Sequence, residues 1–427
     1  MADEKIKKEH ASFDMNHICY DRTSEIEKEF RFHVLPFWKN MRDEEFGGYF
    51  GWLSYDLNLD KKAVKGVILN DRIMWFFSNA YLTLHDDDSL KYAKHAYEFM
   101  INHALDKDYG GVYWSLFYDG RTDDTTKHTY NQAFAIYALS SYYEASNESD
   151  VINLAFELEH MIEEKCRDKN GYLEAFTRDF SPAENDKLSE NGVVAGRTMN
   201  THLHILEAYT ALYRVGKIAL ERNTPGVTEE KVNEVRDRLI EILNIYISKI
   251  YSPDKRRQEV FFDINFNSML DLTSFGHDIE ASWLLEEASD IIGHTDITDK
   301  ITAVAEEMRR EVYENGFDGL SIAAEKENDL MLEIRDWWVQ AEGIVGFLNG
   351  YERNPEKIEY LKTARAIWEF IKMHMIDRRT GSEWFSASYA DGNPITQKAI
   401  LEPWKCPYHT GRMCFEVIRR MAKIRKV

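Results

Sequence analysis

Apolar and polar positions alternate with helical period along most of the chain. Between Asn131 and Tyr143, the residues Phe134, Tyr137, Ala138 and Leu139 fall on one stripe, as in a helix that buries one face. The same pattern predicts helices near 22–42, 68–85, 89–104, 127–146, 149–166, 199–219, 228–250, 276–292, 297–314, 336–352, 355–375 and 408–425. Connections between them alternate. Those after 85, 146, 219, 292 and 352 are short, as helix–helix turns are. Those after 42, 104, 166, 250, 314 and 375 are long and share a turn. Phe46-Gly47-Gly48-Tyr49 returns as Tyr109-Gly110-Gly111-Val112-Tyr113. Weaker echoes lie at Asn170-Gly171-Tyr172, Phe317-Asp318-Gly319 and Thr380-Gly381-Ser382-Glu383-Trp384, and a degenerate one at Gln258-Glu259-Val260-Phe261. A spacing of roughly 60 residues suits a helical hairpin plus one elaborate loop. Runs such as Val112-Tyr113-Trp114-Ser115-Leu116-Phe117, followed by Asp119-Gly120, predict short β-hairpins inside those loops.

Twelve helices in six hairpins, with the six long loops on one side, predict an all-α fold, an (α/α)6 barrel. No linker or composition shift divides residues 1–427, so one barrel domain is expected, with 1–21 as an N-terminal extension. Six repeats let a single fold outgrow the usual domain size.

Charge then narrows the partners. The 427 residues carry 53 Lys+Arg against 74 Asp+Glu, a net charge of −21, which disfavours nucleic acid and anionic membrane surfaces. The start, MADEKIKKEH, has no apolar core of a signal peptide, and no stretch approaches the ~20 apolar residues of a membrane helix. A cytoplasmic location is expected. Cys19, Cys166, Cys406 and Cys414 form no Cys-x-x-Cys pair, so they read as buried, reduced thiols. Dinucleotide, phosphate-loop and nucleophile-elbow motifs are missing.

Unusual polar and aromatic residues collect at the starts of the six helices that follow long loops. They are Asn70, Arg72 and Trp75; His128, Tyr130 and Gln132; Asn200, His202 and His204; His277 and Glu280; Trp337, Trp338 and Glu342; and Trp404 with His409. In a barrel these helices form the inner ring, and their N-terminal ends converge on one mouth lined by aromatics. Helical spacing sharpens the set, because Asn200/His204, His277/Glu280 and Trp338/Glu342 each share a face. His202 and His204 point about 200° apart, so only one faces the pocket and a metal-binding His-x-His pair is disfavoured. The remaining histidines, His17, His33, His85, His95, His103 and His160, read as structural. Asp86-Asp87-Asp88 reads as a solvated turn. Aromatic faces stack on sugar C–H surfaces, while carboxylates and Asn bond hydroxyls, so the pocket suits a neutral carbohydrate.

At these residues the chain resembles the cellobiose 2-epimerases of the N-acylglucosamine 2-epimerase superfamily. The similar stretches are Lys65–Arg72, Met199–His204, Phe275–Trp283, Trp337–Glu342 and Trp404–His409, in the family's order. The resemblance implies an (α/α)6 barrel that inverts C2 of the reducing-end sugar in β-1,4-linked disaccharides, with no cofactor and no metal. It implies cellobiose to glucosyl-mannose and lactose to epilactose. His277 and His409 match the acid/base pair, and His204 and Arg72 match further essential residues. Asn200, Glu280, Trp337, Trp338, Glu342 and Trp404 match sugar-contacting positions, as does Tyr130. A monomer or homodimer acting on a small-molecule disaccharide is the expected state.

Chemistry agrees independently. Once the ring opens, C2–H is α to an aldehyde, and two imidazoles flanking that carbon can remove and return its proton through a cis-enediolate. Arg72, which does not deprotonate, suits the developing oxyanion, and His204 suits ring opening or the open aldehyde. Alternatives are a mannobiose epimerase, an N-acylglucosamine 2-epimerase or mannose isomerase of the superfamily, or an (α/α)6-barrel glycoside hydrolase using Glu280 and Glu342.

Overall fold

A computed structural model describes residues 24–185, 187–188, 192–293 and 295–424. The N-terminal extension, with His17 and Cys19, lies outside the described residues. Among the described residues the helices are α1 (24–40), α2 (Val67–Leu84), α3 (Asp87–Phe99), α4 (Thr129–Ser146), α5 (Ser149–Lys165) and α6 (Met199–Glu221). They continue as α7 (Glu229–Ile245), α8 (Phe275–Ile292), α9 (Thr298–Glu311), α10 (Trp337–Arg353), α11 (Ile358–Phe370) and α12 (Pro407–Ile424).

The even-numbered helices close a ring. α2 packs on α4, α4 on α6, α6 on α8, α8 on α10, α10 on α12, and α12 back on α2. Each odd helix from α3 to α11 packs outside, against the even helix that precedes it. This explains their sequences. α2 and α4 are pressed from several sides and bury almost every residue, whereas α3 buries only Ser89, Ala93, Ala96 and Phe99. The barrel is therefore an (α/α)6 barrel, as the alternating connections predict.

Two features were not predicted. α3, α7, α9 and α11 each end in a π-helical turn, at Met100–Ala104, Tyr246–Ile250, Val312–Gly316 and Ile371–Met375. The residue after each turn is extended, and its N–H bonds the carbonyl five residues back, so a helix-end carbonyl is satisfied as the chain turns into a strand. Second, Lys127–His128, expected inside a helix, form a strand paired with Ala175–Phe176.

That pairing belongs to a collar. The strand entering each inner helix pairs with a loop of the following repeat. Lys65–Gly66 pairs with Ser115–Leu116, Arg197–Thr198 with Phe261–Phe262, Leu272–Ser274 with Glu325–Glu327, and Ile334–Asp336 with Ala387–Tyr389. A bridge between Leu401 and Leu53 closes the circle from the last repeat to the first. The long loops are thus a ring of short hairpins around the N-terminal ends of the inner helices.

The recurring turn is fastened to this ring by one position, the fourth residue of an inner helix. Asn70 Oδ1 accepts from Tyr49 N at 2.9 Å, Gln132 Oε1 from Val112 N at 2.7 Å, and His202 Nε2 from Tyr172 N at 3.3 Å. Asp278 Oδ1 accepts from Gln258 N at 2.9 Å and Gln340 Oε1 from Ile322 N at 2.9 Å. The glycines serve this approach. A Cβ on Gly111, at φ +74°, would meet Gln132 Oε1 at 2.7 Å. The degenerate repeat keeps the geometry with Arg256 at φ +52° in the left-handed region.

A cation two residues before the helix supports the turn in most repeats. Lys65 pairs with Asp43 at 2.6 Å, Lys127 with Asp106 at 3.1 Å, Arg197 with Asp168 at 2.5 Å and Arg335 with Asp318 at 2.9 Å. Lys405 pairs instead with the buried Glu383. The fourth repeat has Thr273 at that position and uses Arg257 with Asp271, 2.5 Å apart.

Candidate active site

Two residues beyond the fastening position, the sixth residue of each inner helix faces the barrel axis. In ring order these are Arg72, Phe134, His204, Glu280, Glu342 and Arg412. Their side chains meet. The Arg72 guanidinium lies 4.1 Å from the Phe134 ring centre, and the Phe134 and His204 rings are 4.9 Å apart. Arg412 bridges Glu280 and Glu342, the latter at 2.7 Å, and also reaches Glu207, so one cation answers three buried carboxylates.

His277 and His409 sit one turn nearer the mouth, each at the third position of its helix, on α8 and α12. Both pack against Trp338, with ring centres 4.7 and 5.4 Å away. His277 Nδ1 bonds Ser274 Oγ at 2.7 Å, and His409 Nδ1 bonds Glu342 Oε1 at 2.8 Å. Burial drives both imidazoles toward the neutral form. It lowers His277, aided by the charge of His204, to about 3. It also holds His409 well below 6.5, with the charges of Arg412 and Arg72 pressing the same way.

Arg72 donates to Tyr130 Oη at 2.7 Å and lies 3.7 Å from Cys406 Sγ. Burial alone would weaken its charge, but Tyr130, Cys406 and Tyr408 beside it hold the guanidinium firmly protonated. Burial pushes the Tyr130 phenol up to about 12. Glu280 is pushed up to about 7 by burial despite Arg412, and its Oε2 is buried without a hydrogen bond. Asn200 Oδ1 is likewise buried and unbonded. Both are acceptors that a hydroxyl-rich ligand satisfies.

Aromatic rings wall the cavity. Tyr130 edges onto His204 at 5.0 Å and lies 6.0 Å from Trp404, which in turn lies 6.0 Å from Trp114. Trp337, the adjacent tryptophan, is buried, with its ring 6.3 Å from that of His409 and 5.2 Å from Lys405 Nζ. Of the pair, Trp338 is the one against both histidines.

All eleven residues that the resemblance assigns to the site, His277, His409, His204, Arg72, Tyr130, Asn200, Glu280, Trp337, Trp338, Glu342 and Trp404, are on the inner helices or the segment leading into α12. Glu280, Glu342 and His409 also bring potential ligand atoms within 4.8 Å of one another, but the Arg412 guanidinium bonds both carboxylates of that trio. His202 does not face the cavity. Its Nδ1 bonds Thr198 O at 2.8 Å and burial lowers its pKa to about 4, as fits a neutral ring fastening the hairpin. His33 and His160 pair with Glu29 and Glu164, and His95 bonds Gly48 O, in line with structural roles.

This arrangement has the parts for inverting a sugar carbon, and the comparisons with known proteins point the same way. Residues 48–411 match the model of the family N-acylglucosamine 2-epimerase (GlcNAc 2-epimerase). The chain belongs to this family. A cellobiose 2-epimerase of Eubacterium cellulosolvens is 48% identical over 396 residues, 92% of this chain and 97% of its own. One from Ruminococcus albus is 45% identical, covering 93% and 98%. Among solved structures, a sugar epimerase from a ruminal bacterium superposes with a TM-score of 0.88 at 45% identity, over 93% of this chain and 99% of the other. This epimerase is thus an isomerase of carbohydrates.

Sequence reasoning missed several residues of this candidate site. Arg412 and Glu207 are both buried and bonded to each other at 2.5 Å, and Tyr408 bonds Glu207 Oε1 at 2.6 Å. Spacing could have found them, since Arg412 is three residues after His409 and Glu207 three after His204. Phe134 had been assigned only to a hydrophobic stripe. The three described cysteines, Cys166, Cys406 and Cys414, are buried free thiols, as expected.

Proposed function

We propose that this barrel is one epimerase domain acting on the reducing-end sugar of β-1,4-linked disaccharides, turning cellobiose into glucosyl-mannose and lactose into epilactose. The observation that carries the mechanism is the placement of His277 and His409 against one indole, Trp338, with each Nδ1 engaged from behind. Such a bond leaves Nε2 as the working nitrogen of each ring.

In the proposed reaction the sugar ring opens to the aldehyde. The neutral imidazole of the pair takes the C2 proton, and its electron pair moves into a C1–C2 double bond as O1 becomes an oxyanion. Arg72, held by Tyr130 and Phe134, stabilises that charge. The other imidazole returns a proton to the opposite face of C2; burial keeps it neutral in the free enzyme, so it enters as imidazolium only after taking a proton from solvent as the substrate binds. The two rings have then exchanged protonation states, and exchange with solvent resets them. Glu342, bonded to His409 Nδ1, supplies a counter-charge when that ring is protonated. Glu280 and Asn200, with unbonded buried oxygens, bind sugar hydroxyls, and Trp338, Trp337 and Trp404 stack on ring faces. Two carboxylates joined by one guanidinium are a poor fit to a hydrolase, which needs them separately placed about the scissile bond. The pair at C2 requires no redox cofactor or metal in this scheme.

The test is proton NMR of cellobiose incubated with the protein in D₂O containing EDTA. The expected result is a mannose-type reducing end with deuterium at C2. Free glucose, or no change with folded protein, overturns the reading. A cellobiose-inert protein that epimerises N-acetylmannosamine or mannobiose moves it to another branch of the family.

A further inference from the structure

The two-histidine scheme gives no task to the residue that ties most of the site together. Arg412, at the axis position of α12, is buried, and so are the three glutamates it meets, Glu207 of α6, Glu280 of α8 and Glu342 of α10. Its guanidinium reaches all of them. Nη1 lies 2.5 Å from Glu207 Oε1, Nη2 bonds Glu280 Oε1, and Glu342 Oε1 takes Nη2 at 2.7 Å and Nε at 3.1 Å. The rings of Tyr408 and Trp283 flank the fork, with centres 4.3 and 5.0 Å from Cζ. Every guanidinium nitrogen is thus engaged by protein, and four of the six inner helices share one cation.

Charge explains why an arginine stands there. Burial pushes each of these carboxyls up, and Arg412 opposes it on all three. It leads the groups that bring Glu207 down to about 2, and it limits the rise of Glu280 to about 7 and the rise of Glu342. The other groups facing Glu342 are Trp283 Nε1, 3.2 Å from Oε2, His409 Nδ1, 2.8 Å from Oε1, and the carboxyls of Glu280 and Glu207. Geometry adds a second consequence. The fork takes Oε1 of both Glu280 and Glu342, so Oε2 of Glu280 is the oxygen left unbonded, while Oε1 of Glu342 also meets His409. A rigid planar fork sets such angles, and an ammonium, as a point charge, does not.

We infer that Arg412 is a positioning residue whose guanidinium fixes Glu280 with Oε2 free for a sugar hydroxyl and keeps Glu342 an anion that accepts from His409 Nδ1. It acts through these groups and not on the sugar. The consequence for turnover rests on the function proposed above, whereas the charge state of Glu342 does not.

Two measurements test it. The first needs no turnover: ¹⁵N NMR of the histidine-labelled protein from about pH 5 to about pH 8, where an ordinary imidazole titrates, with His409 assigned from the spectrum of His409→Gln. In the wild type Nδ1 should stay protonated across this range, because an anionic carboxylate only accepts hydrogen bonds. In Arg412→Lys, Glu342 should take up a proton within the range and donate to Nδ1, which then loses its own. A bare Nδ1 in the wild type, or a lysine variant whose spectrum follows the wild type, overturns the inference whatever the substrate. Should Arg412→Lys not fold, the wild-type spectrum decides.

The second compares kcat and KM for cellobiose across pH in the wild type and folded Arg412→Lys. Expected are a fall in kcat of about 10²-fold, as for misplaced reacting groups, and a rise in KM as Glu280 loses its aim. The acid limb of kcat/KM should also move up toward neutrality, because Glu342 then titrates there. Loss of thermal stability with limb and KM unmoved would mean that Arg412 only holds the fold, and overturns the inference. A wild type inert toward cellobiose displaces the proposed substrate, and the spectra still decide on Arg412.

Discussion

The fourth and sixth residues of the inner helices are two positions apart and do opposite kinds of work. At the fourth, Asn70, Gln132, His202, Asp278 and Gln340 are chemically varied yet do one thing, accepting a hairpin amide. At the sixth, Arg72, Phe134, His204, Glu280, Glu342 and Arg412 meet at the axis, and only Glu280 and Glu342 share a task, both pairing with Arg412. A turn of 200° separates the two sets. One faces the collar that the repeats share, where the backbone sets a uniform demand. The other faces a cavity that belongs to all six repeats at once, where symmetry would be useless for binding an asymmetric sugar. His202 and His204 are the comparison in miniature.

The comparison breaks most visibly at the cavity. His277→Ala or His409→Ala should lower kcat/KM by about 10²–10⁴-fold while thermal unfolding stays close to that of wild type. Removing His409 still leaves Glu342 bonded to Arg412 and to Trp283 Nε1, so no buried charge is stranded. Near-normal turnover by either variant would sink the proton pair.

A middle-sized effect of the opposite kind is expected at the fourth position. Gln132→Leu strands both the N–H and the carbonyl of Val112, bonded at 2.7 and 2.8 Å. At about 1–3 kcal/mol for each unmet buried group, it should cost about 2–6 kcal/mol of stability, read from denaturant unfolding. Its kcat/KM, measured where the variant is folded, should change by no more than a few-fold. A large loss of rate without loss of stability would erase the distinction between the two sets.

The smallest effect is a displacement on the pH axis. A base with a lowered pKa keeps its lone pair into acid, so the acid limb of kcat/KM should lie well below 6.5, toward the value of about 3 for His277. Stability carries the same sign. Groups held neutral in the fold but free to protonate when unfolded contribute fully above about 6.5 and lose that contribution as pH falls toward the folded pKa. A limb at 6.5 in protein shown to be folded would mean that the working base is not a buried histidine.

How much of this could be read beforehand differs by level. Helix positions follow from periodicity, because packing against a ring and an outer neighbour imposes 3.6-residue spacing. Expected 228–250 matches α7 with its π-helical turn, and 408–425 matches α12 at 407–424, each within a residue. The strand at Lys127–His128 was hidden, since two residues carry no period and their partners are some 48 positions away. The fastening role of the fourth position was present as a pattern, a cation followed five residues later by Asn, Gln or His, as in Lys65/Asn70, Lys127/Gln132 and Arg197/His202. Without contacts, that pattern could not be told from a catalytic one. Arg412 and Glu207 went unassigned for a related reason: charged residues inside a helix usually face water, and only the closed ring turns these inward.

By itself the sequence determined six helical repeats, a mouth on one side, and which residue types gather there, because burial and turn chemistry leave local marks. It also carried the resemblance that names the chemistry. Only the tertiary structure decided what each of two neighbouring histidines touches, Glu207 for His204 and a hairpin amide for His202. Closing the ring brings Glu207 to Tyr408, 201 positions away in the chain, and Glu342 to His409, 67 away. Tautomer and charge are set by such contacts in a dry interior, and no local pattern specifies them.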